Sequence, residues 1–195
     1  MQILERPFRF DADTHSYIDL ATGAELPHIT GMLELTGWIN PDWYTEDASE
    51  RGTAVHGLTA DYDLGALELD RLVSRYRAYV LAYREVLELL QRPTMLAVEE
   101  PNVHPALLFG GRPDRLVHIF GLAGILEIKT GEKKKADQIQ TALQAILSES
   151  RLEIPAEYQM RVAVYLRPDG RCKVEHHKER SDIRKAREVI AKCCH

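Results

Sequence analysis

The sequence predicts an α/β fold: a mixed central β-sheet with helices on its faces. Three observations predict it. Two pairs of β-prone runs, at 116–128 and 160–177, are each joined through a glycine-bearing turn. Between and after them lie runs whose apolar residues recur at three and four positions. The 195 residues are 45% apolar and 28% charged, which suits one compact soluble domain with a sizeable core and excludes a disordered or fibrous chain.

Taken in order, Thr30 reads as the N-cap of a helix carrying Met32, Leu33 and Leu35. From Leu72 to Leu90, tyrosines, valines and leucines mark a long amphipathic helix, about 70–91, with its tyrosines in the core and at its rim. Leu96 to Pro101 reads as a strand entering the first hairpin. That hairpin pairs Leu116–Phe120 with Ile125–Ile128. If it turns at Phe120-Gly121, Asp114 and Glu127 lie directly opposite, about 5 Å apart. If the turn centres on Gly121–Gly124 the pairing slips, and Asp114 reaches in from the strand end. Met160–Leu166 and Cys172–His177 flank Pro168-Asp169-Gly170 as a second hairpin, and a helix over 182–192 follows.

The first hairpin carries the chemistry. Alternate strand residues share a face, so Glu127 and Lys129 point the same way. Glu127 sits between apolar neighbours, where a charge is costly unless paired. Two carboxylates at this spacing can grip a hard divalent cation, which polarises a phosphoryl oxygen and acidifies bound water. A neighbouring lysine can orient that water, help deprotonate it or pair with the phosphate. A cross-strand surface ion pair explains Glu127 and Lys129 more cheaply, so the rest of the chain must decide.

Gly111-Arg112-Pro113-Asp114-Arg115 followed by Leu126-Glu127-Ile128-Lys129-Thr130-Gly131 resembles the PD-(D/E)XK nuclease superfamily, in its RecB-like and phage exonuclease-like branch. The resemblance implies a restriction-endonuclease-like core over 1–195: an N-terminal hairpin and helix (1–50), a catalytic core (51–150) and a C-terminal hairpin and helix (151–195). It implies catalytic roles for Asp114, Glu127, Lys129 and Gln140. It implies Mg²⁺ or Mn²⁺ held by Asp114, Glu127, His56 and the backbone carbonyl of Ile128, joined by Glu99 or Glu100. Glu99 is favoured, because Pro101 follows it in the branch's Glu-x-Pro pattern. Arg51 to His56 is similar to the branch's Gly-x-x-x-His helix. Ala136 to Ala145 is similar to its Gln-x-x-x-Tyr helix, with Gln140 on the glutamine and Gln144 in place of the tyrosine. Gln140 and Gln144 share a helical face that could touch a phosphate or hold Lys129. Phe10–Tyr17 and Gly23–Leu33 resemble a hairpin of phage-borne members, in which His15 and His28 are expected to be structural.

The implied substrate is DNA, and the implied activity is metal-dependent phosphodiester hydrolysis, exonuclease-like, in a phage or recombination and repair setting. A homo-oligomer or a recombination partner protein stays open. A net charge of −5 suits an enzyme that releases its product better than a coating protein. Lys133, Lys134 and Lys135 could receive the backbone beside the site, with Gln144 as a further contact. The readings left beside this one are a catalytically weak nucleic-acid-binding or regulatory protein, and a hydrolase of small phosphoesters. Cys172, Cys193 and Cys194 are too few for the four-cysteine iron–sulfur cluster of some relatives, so no cluster is expected. Met1–Arg6 is too charged for a signal peptide and no apolar run spans a membrane, so a cytoplasmic location is expected.

Overall fold

The computed structural model describes residues 6–43 and 45–194. Met1–Glu5, on which most of the signal-peptide expectation rests, lie outside the described residues. The chain opens with an antiparallel meander of β1 (Phe8–Asp11), β2 (Ser16–Asp19) and β3 (Glu25–Leu26). Helices α1 (Ile29–Leu35), α2 (Glu46–Asp63) and α3 (Arg77–Leu89) follow. Then come β4 (Thr94–Val98), the short pair β5 (Asn102–Val103) and β6 (Gly110–Gly111), and the hairpin of β7 (Arg115–Ile119) and β8 (Leu122–Lys129). Helices α4 (Lys135–Leu147) and α5 (Glu149–Leu152) lead to the hairpin of β9 (Met160–Leu166) and β10 (Cys172–His176), and α6 (Arg180–Cys193) ends the chain.

The central sheet has the order β10-β9-β8-β7-β4. Only β8 and β9 pair in parallel; the other neighbours are antiparallel, so the sheet is mixed as expected. One face packs Leu116 and Ile125 under α1, α4 and α6, through Met32, Leu33, Leu143 and Ile183. The other packs Val117, Leu126, Ile128 and Val164 under α2 and α3, through Val55, Tyr79, Tyr83 and Val86. This two-sided cover is consistent with a restriction-endonuclease-like core, with β8 at its centre.

The β7–β8 turn settles the register. Phe120 and Gly121 both have positive φ, 51° and 82°, the handedness a two-residue hairpin loop needs. Arg115 pairs with Leu126 and Ile119 with Leu122. One step further along this register sets Asp114 against Glu127, the first of the two alternatives. Odd residues of β8 and even residues of β7 then face α4, while Arg115 turns to the α2–α3 side.

Three local expectations are corrected. The helix expected over 70–91 begins only at Arg77; before it lie a single 3-10 turn, Leu69–Arg71, and an extended Leu72. Ser74 is the cause, because its hydroxyl accepts from the Tyr76 amide and its carbonyl from Arg77, a local alternative to helix. Val73, counted in the apolar stripe, is 98% exposed. The N-cap of α1 is His28, whose Nδ1 accepts from Gly31 N at 3.3 Å, and Thr30 lies inside the first turn. Finally β4 ends at Val98, so Glu99 and Glu100 follow the strand rather than lie on it; Glu99 takes φ 50°.

Gly124 is where β8 meets β9. A Cβ there would lie 1.9 Å from the Met160 carbonyl oxygen, a backbone atom that no rotamer change can move. Gly124→Ala should therefore destabilise the protein by about 2–4 kcal/mol in urea denaturation. A loss below about 0.5 kcal/mol would show that the two strands can part without cost.

Candidate active site

Helix α2, the loop that leads into β7, strand β8 and helix α4 converge on one cleft of about 810 Å³. His56, Glu99, Asp114, Glu127, Lys129, Gln140 and Gln144 all line it. Residues spread over the middle of the sequence are thus gathered at the end of the central strands.

Glu127 is the most costly of them to place. It is a carboxylate only 2% exposed on the middle strand of the sheet. Lys129 Nζ donates to its Oε1 at 2.9 Å and Gln140 Nε2 to the same oxygen at 2.6 Å. Gln144 Nε2 donates to Oε2 at 2.7 Å. Lys129 also donates to Gln140 Oε1 at 2.7 Å, closing a ring of three side chains. The four-residue spacing of the glutamines on α4 makes this grip. Gln144, expected to touch nucleic acid, is instead 2% exposed and aimed at Glu127. Burial, and next the charge of Asp114, push Glu127 up to about 7. Burial works against the Lys129 ammonium, but Glu127, Asp137 and Asp114 outweigh it and raise its pKa.

Asp114 and Glu99 form a second group with His56. His56 Nδ1 lies 3.2 Å from Asp114 Oδ1 and 3.3 Å from Glu99 Oε1. Asp114 Oδ2 accepts from the Ile128 amide at 2.6 Å, which pins the carboxylate across the hairpin. For His56, burial acts downward but Asp114 and then Glu99 raise its pKa to about 10. For Asp114, burial acts upward but His56, Lys129 and the Ile128 amide outweigh it and lower its pKa. One ligand atom from each of His56, Glu99 and Asp114 lies within 4.8 Å of the other two. Two carboxylates and one imidazole converging this closely fit a divalent cation of the Mg²⁺ or Mn²⁺ type. This grouping does not include Glu127, whose oxygens are engaged by Lys129 and the glutamines.

Of the two glutamates left open, Glu99 faces the cleft, while Glu100 is an exposed partner of Arg151 at 2.6 Å. Lys133 pairs with Glu175 at 2.8 Å. The Lys134 amide donates to Asp137 Oδ2 at the start of α4, and Lys135 is the first residue of that helix. None of these three lysines lines the cleft. His15 and His28, expected to be structural, do line it, although His28 also caps α1.

Sequence reasoning missed the group beneath the site. Arg115 is fully buried. Its guanidinium binds Asp63, Glu99 Oε1 at 3.2 Å, the Asp114 carbonyl at 2.6 Å and Thr59 Oγ1 at 3.1 Å. Tyr83 donates its hydroxyl to Asp63 Oδ2 at 2.8 Å. Burial raises the pKa of Asp63 even against Arg115. Arg115 therefore ties α2 and the loop after β4 to the start of β7. The available signal was an arginine at an inward-facing strand position, which must find carboxylates.

No protein-family model matches the sequence, and no curated protein matches it. Among solved structures, a provisionally assigned exonuclease from Eubacterium rectale shares 13% identity, over 83% of this chain and 69% of that one, with a TM-score of 0.44. SSO0001 shares 16% identity over 72% of this chain and 85% of that one, TM-score 0.33. LHK-Exo in complex with dAMP shares 14% over 86% and 85%, TM-score 0.37. At these scores the likenesses do not bear on activity, and the chemistry rests on the cleft itself.

Removing Arg115 should be expensive. Arg115→Met leaves Asp63 buried without its cation and should cost about 3–5 kcal/mol in urea denaturation. An unchanged midpoint would mean that the network can reorganise freely.

Proposed function

We propose that the protein is a metal-dependent deoxyribonuclease of the PD-(D/E)XK type, hydrolysing phosphodiester bonds in DNA. The observation that carries this reading is the junction of two arrangements in one cleft. His56, Glu99 and Asp114 converge within 4.8 Å, beside Glu127 and Lys129 locked together on the central strand. In this reading His56, Asp114 and Glu99 hold Mg²⁺ or Mn²⁺, with Glu127 and the Ile128 carbonyl completing the shell. The bound ion would supply charge stabilisation at the phosphoryl oxygens and an acidified water.

The chain's own groups supply position. Lys129, held as an ammonium by Glu127 and Gln140, lines the cleft, where its charge would orient the attacking water or pair with a bound phosphate. Gln140 and Gln144 fix the Glu127 carboxylate in one rotamer. Burial of Glu127 and Asp114 keeps their fields unscreened by solvent. Arg115 holds the backbone of Asp114 and the carboxylate of Glu99 in register.

An exonuclease-like action in a phage, recombination or repair setting belongs to the same proposal, with DNA as the partner and the cytoplasm as the location. Among the described residues no helix is long and apolar enough to cross a membrane.

The test uses labelled single- and double-stranded DNA with Mg²⁺ or Mn²⁺. Wild type should cut, chelation by EDTA should stop it, and Lys129→Ala should lower the rate by a factor of about 10²–10³ or more. Tight binding without cutting by wild type would favour a regulatory DNA-binding protein instead. Covalently closed circles in the same assay separate the two nuclease modes: an exonuclease leaves them intact.

Gln144→Leu tests the α4 grip. It should keep the fold yet lower activity or metal affinity by about 10–100-fold, read as kcat and as Mn²⁺ titration. Full activity in this variant would remove Gln144 from the site.

A further inference from the structure

Glu99 is crowded by cations. His56 Nδ1 and Arg115 Nη1 approach its Oε1 at 3.3 and 3.2 Å. Arg112 Nε approaches its Oε2 at 3.3 Å. These three groups differ in their freedom to leave. Arg115 is fully buried and bound on four sides. His56 is itself one of the three converging ligands. Among the carboxylates of the described residues Arg112 is bound to Glu99 alone, its side chain is 35% exposed, and it stands on the cleft wall with its guanidinium 5.8 Å from the Phe10 ring centroid.

A divalent cation seated between Glu99 and Asp114 would meet two guanidinium groups already on Glu99. Like charges at this range repel strongly in a partly buried site. Arg112 is the one that can move. Swung off Glu99 it stays on the wall of the same cleft that Lys129 lines. A planar guanidinium there can take two oxygens of one phosphate.

We propose that Arg112 exchanges Glu99 for a DNA phosphate when the divalent cation binds, so that metal and DNA bind cooperatively through this one side chain. The proposal rests on the nuclease reading above and adds to it a DNA-binding residue and a coupling between the two ligands. It gives Arg112 opposite effects on the two ligands, which a merely structural arginine would not have. With Arg112 in place, metal entry must displace it; without Arg112, metal enters freely and DNA loses a contact.

The experiment measures binding, not turnover. Ca²⁺ is titrated calorimetrically into wild type and Arg112→Gln without DNA. A fluorescein-labelled single-stranded oligonucleotide is then titrated by anisotropy with and without Ca²⁺, and its integrity is checked on a gel. Arg112→Gln should bind Ca²⁺ several-fold more tightly than wild type. It should bind the oligonucleotide about tenfold more weakly when Ca²⁺ is present, and the Ca²⁺ enhancement of DNA binding should shrink toward unity. The slope of log affinity against log salt should fall by about 0.7, one phosphate contact on a single strand. Arg112→Lys should keep the competition with metal while losing part of the DNA affinity. Equal or weaker Ca²⁺ affinity in Arg112→Gln, with Ca²⁺ binding intact in wild type, would overturn the exchange and leave the nuclease reading standing. No Ca²⁺ or Mn²⁺ binding by wild type would overturn both.

Discussion

A carboxylate buried on the middle strand of a sheet cannot stand without partners, and the site is organised around meeting that demand for Glu127. Removing a carboxylate from water without compensation is prohibitive. Here the compensation comes from Lys129 two residues along the same strand and from two glutamines one helical turn apart on α4. The demand therefore fixes more than a side chain. It sets the rotation of α4 about its axis, because only one face offers Gln140 and Gln144 together, and so places the apolar face of that helix, Leu143 and Ile146, on the core. Function and packing are served by the same helix orientation.

The α2 side of the sheet repeats the theme with the charges reversed. There the buried group is a cation, Arg115, and the partners are Asp63, Glu99 and Thr59. Adjacent residues of extended chain point to opposite faces, so Asp114, just before β7, and Arg115, its first residue, carry the two networks to either side of the sheet. Asp114 belongs to both, since its side chain meets His56 and the Ile128 amide while its carbonyl receives Arg115. A buried ion pair of this kind adds little stability over apolar packing, but losing one partner is severe. Such groups are better understood as fixing a geometry than as holding the fold together.

Much of this could be read before the fold was seen. The strands on either side of the Phe120-Gly121 and Pro168-Asp169-Gly170 turns announce themselves, because turn chemistry and alternation are local properties. Glu127, Lys129, Gln140 and His56 could be named from spacing and resemblance, and the cleft gathers all four. What could not be read depends on contacts distant in sequence. Nothing near Arg115 in the sequence reveals that Asp63 lies beneath it, and nothing near Gln144 reveals that its amide is needed by Glu127. The helix start was missed for the opposite reason. Apolar periodicity ran on through Val73, while Ser74, a single polar residue with a hydroxyl free to bond the backbone, ended the helix locally. For the lysine run at 133–135, charge along a sequence carries no direction, and the expected nucleic-acid contact is neither supported nor overturned by the pairing of Lys133 with Glu175.

The parallel pairing of β8 with β9 has a consequence for how the protein comes into being. Each of its flanking hairpins, β7–β8 and β9–β10, can close early from residues close in sequence. The seam between them cannot, because α4 and α5 must first be laid across the sheet. The glutamines that shelter Glu127 ride on that same crossover. Glu127 therefore gains its full set of partners only once α4 is docked, a non-local step that neither hairpin contains. A newly made chain would hold most of its secondary structure before it held the completed cleft, and recovery of the proposed nuclease activity during refolding would report the closing of the central seam.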